Sequence, residues 1–397
     1  MTPSRILMLL ALIVAGSAPA AAAADTPTPA QAFVRALDAA DSTPDQRAEC
    51  WRALTEGDKR PPRAAVEALD AARQRAWRRL AALVGALSAQ KPAAGLRAAI
   101  GPHQAKAREA ITGNGFSREK LDAAMAPIQG ALDAALTLLQ DGEKFRPARA
   151  MVNELEGYAG ACGLRPAWSE ELLDAQIALT VVNRYAGSPR WNALLEANER
   201  YGGWIDPGEA ACIARLNAHR ILIGLQPMEI DLRLVIAARK HSEEMVAKGY
   251  FAHDSPTADL KSPWQRAARE HTSSSGECIA GAGNGTGAFK SWYYSQGHHT
   301  IMIGGAPCVG VGRCKDKWTL MVGGSRTPNA QAARMAQYVR RRYQAGERPD
   351  ALLDLAKWCA DNQLVTQATD ELERVIALEP GNETAKKALE RIRATKR

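Results

Sequence analysis

The spacing of apolar residues predicts a chain that begins and ends in helices. Between residues 25 and 205, apolar positions recur every three or four residues, as in amphipathic helices. Further helices are predicted in FSREKLDAAMAPIQGALDAALTLLQ, with a break or bend at Pro127, and in WSEELLDAQIALTVVNRYAG. The segment beginning RAAVEALDAARQ predicts one long helix, with apolar positions at Val66, Leu69, Trp77, Leu80 and Leu83. We therefore expect a helical bundle or long hairpin in this region.

The pattern changes at residue 206, where a new domain is predicted. Asp206 can cap a helix, Pro207 occupies its first position, and Glu209 can reach back to the cap. This helix is expected to end near Ile223, and a second is expected in DLRLVIAARKHSEEMVAKG. Shorter helices are predicted in SPWQRAAREH and over about residues 286–296.

Three short glycine-containing segments of the same region predict strands. GECIAGAG is expected to form one strand, while CVGVGRC and KWTLMVGG are expected to pair antiparallel through a tight turn at Lys315-Asp316. Helices around a small antiparallel sheet define an α+β domain, here assigned to residues 206–326. Twelve of the 32 glycines lie between residues 276 and 324, and six of the seven histidines lie between residues 219 and 299, which makes this domain the expected location of a site.

The C-terminal region, residues 327–397, is predicted to be helical again. Two helices and the start of a third are separated by a break at Pro380-Gly381. A tetratricopeptide repeat has small packing residues and a terminal proline at a characteristic spacing. This spacing is met here by Ala356, Ala368, Leu372 and Pro380. We therefore predict a short repeat-like helical region that caps the central domain and offers a groove for a protein partner.

The N-terminus has the layout of a secretory signal peptide. A basic MTPSR precedes the 11-residue apolar stretch ILMLLALIVAG and the small residues SAPAAAAAD. A membrane anchor needs about 20 apolar residues, so cleavage near Ala24 is favoured. The sequence predicts a signal peptide over residues 1–24, a helical domain over 25–205, and a secreted or periplasmic mature chain without a transmembrane segment.

Charge and cysteine content narrow the classes of function. The net charge of +8 is scattered among acidic residues, and no basic face with groove-reading elements indicates nucleic-acid binding. Seven cysteines without C-x-x-C spacing fit an oxidising compartment rather than a structural zinc site. Cys308 and Cys314 would lie about 20 Å apart on one continuous strand. We therefore expect one of them to form a disulfide with Cys278 on a neighbouring strand.

Several motifs occur in the order typical of a known family. Five segments occur in this order along the chain: LNAHR, HSEEMVAKGYFAHDSP, GECIA, SWYYSQGHHTIMI and VGVG. Together they resemble the bacterial form of the CAP family (cysteine-rich secretory proteins, antigen 5 and pathogenesis-related 1), also called the SCP domain. The resemblance covers about 120 residues. The positions that carry it are Asn217, Arg220, His253, Gly276-Glu277, Trp292 and Gly297-His298.

The resemblance implies an α-β-α sandwich in which His253, Glu277 and His298 converge in a surface cavity. Two departures from the family pattern stand out. Cys278 replaces an asparagine, and Ser295 stands where eukaryotic members carry a second glutamate. A mechanism that needs paired carboxylates is therefore weakened.

Three functions remain open at this point. The first is binding of a lipid-like or cell-wall-derived ligand in the His/Glu cavity, because family members are associated with sterol or lipid binding. Two imidazoles and one carboxylate could also bind a divalent metal such as Zn²⁺. The second function is a metal-assisted hydrolase or protease that uses the same residues. The third is an interaction scaffold formed by the flanking helices.

The remaining histidines are expected to be structural. His299 is predicted to be peripheral, His241 to pack a helix, and His219 and His271 to be surface or capping residues. Tyr293 and Tyr294 are the aromatic residues expected to line an opening.

Overall fold

The computed structural model describes residues 27–395 apart from 40, 58–59, 89–93, 141, 165–167, 187–188, 203 and 325–329. The predicted signal peptide therefore lies outside the described residues. The chain divides into two compact units, Met1–Ala68 and Leu69–Arg397. None of the described helices is long and apolar enough to cross a membrane.

The first unit contains the helices α1 (Pro29–Asp38) and α2 (Pro44–Thr55). Both begin with a capping box, formed by a threonine and by the glutamine three residues later. The rings of Phe33 and Trp51 lie 5.3 Å apart and join the two helices. A third helix, α3 (Arg63–Ser88), contains the boundary between the units and confirms the predicted long helix.

Among the described residues, six α-helices lie between α3 and the central region that contains the sheet. They are α4 (Ala94–Ile100), α5 (Gln104–Thr112), α6 (Arg118–Gln140), α7 (Phe145–Ala161), α8 (Glu170–Ala186) and α9 (Pro189–Gly202). A break or a bend was predicted at Pro127, and helix α6 runs through this residue without a break. Pro127 and Ala123 are both exposed, and the carbonyl that loses its hydrogen bond to the proline therefore lies on the water-facing side of the helix.

The central region combines helices with a four-stranded mixed sheet. Its elements are α10 (Pro207–Leu222), β1 (Glu229–Ile230), α11 (Leu232–Lys248), α12 (Pro263–Arg269), β2 (Ser274–Gly281), α13 (Gly285–Tyr293), α14 (Gln296–Ile303), β3 (Cys308–Cys314) and β4 (Lys317–Gly323). The strand order is β1-β3-β4-β2. Only the β1–β3 pair is parallel. A mostly helical chain with a small mixed sheet agrees with the predicted α+β class.

Several local predictions for this region are confirmed. Asp206 and Glu209 form the predicted capping box at the start of α10, with Pro207 in its first turn. Strands β3 and β4 pair antiparallel through the predicted turn at Lys315-Asp316, where Lys315 has a φ of 52°. The two-residue strand β1 was not predicted, because it is too short to show a periodicity.

Two predictions about the same region are wrong. The helix predicted over about residues 286–296 is not continuous: α13 ends at Tyr293, and a second helix, α14, begins at Gln296 and contains His298. The expected disulfide of Cys278 is excluded by the sheet order, because β4 lies between β2 and β3. Two strand spacings amount to about 10 Å, whereas bridged Cα atoms lie within about 7 Å. The seven cysteines, which are all described, form no disulfide.

Helix α11 lies directly on one face of the sheet. A Cβ atom at Gly310 would come within 2.3 Å of the Leu234 backbone, and one at Gly312 within 2.0 Å of the Arg239 backbone nitrogen. The Ser242 hydroxyl donates to the Gly312 carbonyl at 3.0 Å and bonds the Thr319 hydroxyl at 2.9 Å. The two glycines of β3 therefore let the helix and strand backbones touch.

The opposite face of the sheet is contacted by α14 and α10. A Cβ at Gly276 in β2 would come within 2.9 Å of the Ile301 side chain of α14. The Arg220 guanidinium of α10 donates to the carbonyls of Met302 at 2.7 Å and Gly304 at 3.0 Å. Asn217 exchanges two hydrogen bonds with the Met228 backbone. Asn217 and Arg220, two of the positions that carry the family resemblance, thus bind the backbone of neighbouring segments.

Four helices follow the sheet: α15 (Ala330–Ala345), α16 (Pro349–Asp361), α17 (Val365–Leu378) and α18 (Glu383–Thr395). Asp370 of α17 accepts hydrogen bonds from Lys240 of α11 and Arg269 of α12. Gln367 donates to the buried Glu270 at 2.8 Å. The C-terminal helices are thus joined to the central region by polar contacts, and their likeness to a tetratricopeptide repeat stays a prediction.

The close contact between α11 and β3 gives a prediction for stability. Gly312→Ala would force the helix off the sheet, and we expect it to lower the free energy of unfolding by about 3 kcal/mol. Gly281→Ala is the matched control, because a Cβ there meets no atom within 4 Å. Urea unfolding followed by circular dichroism measures both. Equal stability of the two variants would contradict the contact.

Candidate functional site

The three residues predicted to form a site lie close together at the outer edge of β2. His253 comes from the loop after α11, Glu277 from β2 and His298 from the first turn of α14. The His253 Nδ1 atom lies 2.9 Å from Glu277 Oε1, and the rings of His253 and His298 are 6.4 Å apart. Because β2 pairs only with β4, residues from both faces of the sheet can meet around its free edge.

Arg266 is a fourth member of this cluster, and it was not predicted. Its guanidinium donates to Glu277 Oε2 at 2.6 Å and to the His253 carbonyl at 3.0 Å. The Glu277 side chain is 2% exposed and that of Arg266 4%, whereas the His253 side chain is 49% exposed. A buried carboxylate needs such pairing, because an isolated buried charge is costly. The buried ion pair therefore supports a histidine that faces solvent.

The two histidines of the cluster have pKa values shifted in opposite directions. The hydrogen bond and charge of Glu277 raise the pKa of His253. Burial, with a smaller contribution from the charge of His253, lowers the pKa of His298. Near neutral pH, His298 is therefore more readily present as the neutral imidazole, whereas His253 is the stronger base of the two.

A second set of polar residues fixes the loop that carries His253. His241 packs here as predicted, with Nε2 donating to the Ala252 carbonyl at 3.1 Å, and burial lowers its pKa. Glu244 accepts hydrogen bonds from the hydroxyls of Tyr250 at 2.8 Å and Ser255 at 2.7 Å. Burial acts to raise the pKa of Glu244. The hydrogen bonds to its carboxylate, including one from Lys248, outweigh this effect and hold the pKa at about 2.

The donor set at this cluster does not fit a three-ligand zinc site. Both oxygens of Glu277 are engaged, one by His253 and the other by Arg266. An arginine on the carboxylate also disfavours a cation there. Among the described residues, no group of three His, Cys, Asp or Glu side chains is placed to bind a metal ion. This arrangement leaves the imidazoles of His253 and His298 as the groups that could bind a metal, and zinc binding stays a prediction.

His219 and His299 form a buried pair, which corrects the prediction for both residues. Their Nε2 atoms lie 2.8 Å apart, and the residues are 4% and 0% exposed. Burial lowers the pKa of His299 to about 4 and that of His219 well below its usual value. Both rings are therefore neutral at pH 7, one donating to the other. Sequence alone could not show that residues 80 positions apart share a hydrogen bond.

The largest cavity near these residues lies among four helices, and we call it the four-helix cavity. It has a volume of about 620 Å³ and is walled by α6, α8, α10 and α13. His219, Tyr293 and Tyr294 line it, so the expectation for the two tyrosines agrees with the structure. Its apolar wall is formed by Met125, Leu132, Leu136, Ile177, Ala178, Leu222 and Phe289, with smaller alanines between them.

The central part of the chain is similar to a known family. Residues 213–321 match the model of CAP, the cysteine-rich secretory protein family. The chain is 33% identical over 96 residues to the uncharacterised protein YkwD of Bacillus subtilis (strain 168), covering 24% of this chain and 37% of that protein. It is also similar to the crystal structure of an extracellular protein containing a SCP domain from Bacillus anthracis str. Ames. That match has 26% identity and a TM-score of 0.28, and it covers 29% of this chain and 40% of the other.

The family match and the similarity to YkwD support a CAP domain in the central part of the chain, as the resemblance predicts. The chain spans only 37% of the length of the curated relative that it matches. Helices α6 and α8 precede residue 213, so two walls of the four-helix cavity lie outside the matched residues. The function of the whole chain is therefore a matter of proposal.

The contact between Glu277 and His253 gives a testable pKa prediction. Glu277→Gln removes the negative charge that raises the pKa of His253, so this pKa should fall toward or below 6.5. NMR titration of the histidine ring protons in the variant and in the wild-type protein measures it. An unchanged His253 pKa in a folded variant would show that the hydrogen bond is absent in solution.

Proposed function

We propose that this chain is an exported binding protein for an apolar or amphipathic molecule, held in the four-helix cavity. The observation that carries the proposal is the cavity itself. Its volume of about 620 Å³ lies in the range of ligand sites, and its wall is largely apolar. An apolar ligand that covers the apolar part of this wall gains free energy by removing it from water.

The four-helix cavity favours a lipid-like ligand over a small polar one. Apolar side chains of α6 and α8 face the aromatic residues Phe289 and Tyr293 of α13. The neutral pair formed by His219 and His299 adds no charge to the wall. A hydrocarbon chain can therefore lie along the helices, and the source of such a ligand would be an envelope or extracellular lipid. Export rests on the signal peptide expected over residues 1–24.

The cluster at His253 supports a second candidate function, metal-assisted or metal-free hydrolysis. The observation that favours hydrolysis is the solvent-facing imidazole of His253, whose Nδ1 atom is hydrogen-bonded to the buried carboxylate of Glu277. A histidine held in this way can accept a proton from water through its other nitrogen. Ser255 is not its nucleophile, because that hydroxyl donates to Glu244. Zinc uptake lost on combined substitution of His253 and His298 would support the metal-assisted form.

An interaction scaffold remains the third candidate, with the C-terminal helices binding a protein partner. Helices α16 and α17 bury the residues expected for repeat-like packing, namely Ala356, Ala368 and Leu372. The polar contacts of α17 with Lys240 and Arg269 support a capping role as well. A lipid cavity and a partner-binding region are compatible in one chain.

Filling the four-helix cavity should abolish binding of an apolar probe. We expect N-phenyl-1-naphthylamine, an uncharged fluorescent probe, to bind the wild-type protein at one saturable site. Ala178→Phe places a ring in the cavity and should weaken binding at least tenfold. Ala123→Phe on the exposed side of α6 is the matched control and should have no effect. Equal binding by both folded variants would contradict the proposed site.

A further inference from the structure

The short helix α12 connects the cluster around His253 with the C-terminal helices. Arg266 binds the buried carboxylate of that cluster at 2.6 Å. Three and four residues further on, Arg269 donates to Asp370 of α17 at 2.7 Å, and Glu270 accepts from Gln367 of α17 at 2.8 Å. Residues at this spacing lie on one face of a helix. The same face of α12 therefore contacts both the cluster and α17.

Lys240 of α11 completes the contact between α12 and α17. Its ammonium group lies 2.7 Å from Glu270 and also pairs with Asp370. Glu270 and Gln367 are both buried, and Asp370 is shared between Lys240 and Arg269. Removing one partner from such a buried network leaves the others uncompensated, which is costly. Contact with α17 therefore stabilises α12 in its place beside α11.

Cavities beside α12 leave its position dependent on these polar contacts. Ala267 anchors the helix in the core next to Leu234. Near this anchor, a cavity of about 140 Å³ lies between α11 and α12, with Lys240 and Arg266 in its wall. A second cavity, of about 210 Å³, lies among α11, α15 and α17, and charged side chains form most of its wall. Close packing fixes the position of side chains only where it is complete. Around Ala267, the polar contacts therefore set where α12 lies.

We propose that Asp370 and Gln367 are positioning residues for the cluster around His253. They hold α12 where Arg266 binds Glu277, and withdrawal of α17 takes this guanidinium away from the carboxylate. Helix α17 follows residue 321, so the contact lies outside the residues that match the family model. The proposal goes beyond the proposed function, because it links the C-terminal helices to the histidine cluster and needs no ligand in the four-helix cavity.

The charges around His253 give the expected effect a sign. The carboxylate of Glu277 raises the pKa of His253, whereas the positive charge of Arg266 lowers it. The pKa of His253 should therefore rise when Arg266 moves away. The other charged or titratable neighbours, Asp254 and His298, stay unchanged in the variants below. A positive charge introduced on α17 would by itself act through space in the opposite direction and lower this pKa.

Reversing the charge at residue 370 tests the proposal in the full chain. Asp370→Lys places like charges against Lys240 and Arg269 and should drive α17 away from α12. We expect amide hydrogen exchange in α12 to become at least tenfold faster. We also expect the pKa of His253, measured by NMR titration of its ring protons, to rise by about 0.5 unit or more. Asp354→Lys, at an exposed position of α16, makes the same charge change and should alter neither.

The milder variant Asp370→Asn removes the charge without reversing it, and it should raise the pKa of His253 by a smaller amount. It keeps the test decisive if Asp370→Lys does not fold. A pKa of His253 that stays constant or falls in the folded variants would overturn the positioning role, and so would unchanged exchange in α12. Binding of N-phenyl-1-naphthylamine should be the same in all variants, so failure of this inference is distinguishable from failure of the four-helix cavity as a ligand site.

Discussion

The contact between helix α11 and strand β3 is the constraint on which the central region depends. At Gly310 and Gly312 the helix and strand backbones touch, and any side chain there would overlap with α11. Arg239, which lies over Gly312, also reaches the buried Glu209 at the start of α10, and Glu209 accepts a hydrogen bond from the Arg313 backbone. One close approach thus fixes α11, the sheet and the beginning of α10 relative to one another.

That arrangement places two different sites on opposite sides of the sheet edge. On the α11 side, Glu277 is enclosed between His253 and Arg266, so its charge is already balanced by the protein. On the α10 side, α10 and α13 turn Arg215 and a set of apolar side chains toward the four-helix cavity. The first site contains paired charges and a solvent-facing imidazole, whereas the second contains a largely apolar wall around an open volume. Ligand binding is therefore the more direct consequence of the second.

The sequence predicts features that depend on local chemistry or on ordered motifs. The cap at Asp206, the turn at Lys315-Asp316 and the convergence of His253, Glu277 and His298 all belong to this class. Arg266 was not predicted, because an arginine on a short amphipathic helix has the pattern of an ordinary surface residue. Its partner could be found only from the packing of α12 against β2.

The remaining differences also come from tertiary packing. His219 and His299 look like surface residues in the sequence, but α10 and α14 bring them into contact. The four-helix cavity has no linear signature, because it exists where alanines of α6 and α8 leave room opposite α13. The disulfide expectation failed for the same reason, since strand order cannot be read from the order of strands along the chain.

A crystal structure of the protein grown with N-phenyl-1-naphthylamine tests the central claim most directly. The account predicts electron density for this probe among α6, α8, α10 and α13. Density for the ligand beside His253 and His298, with the four-helix cavity holding only water, would contradict it.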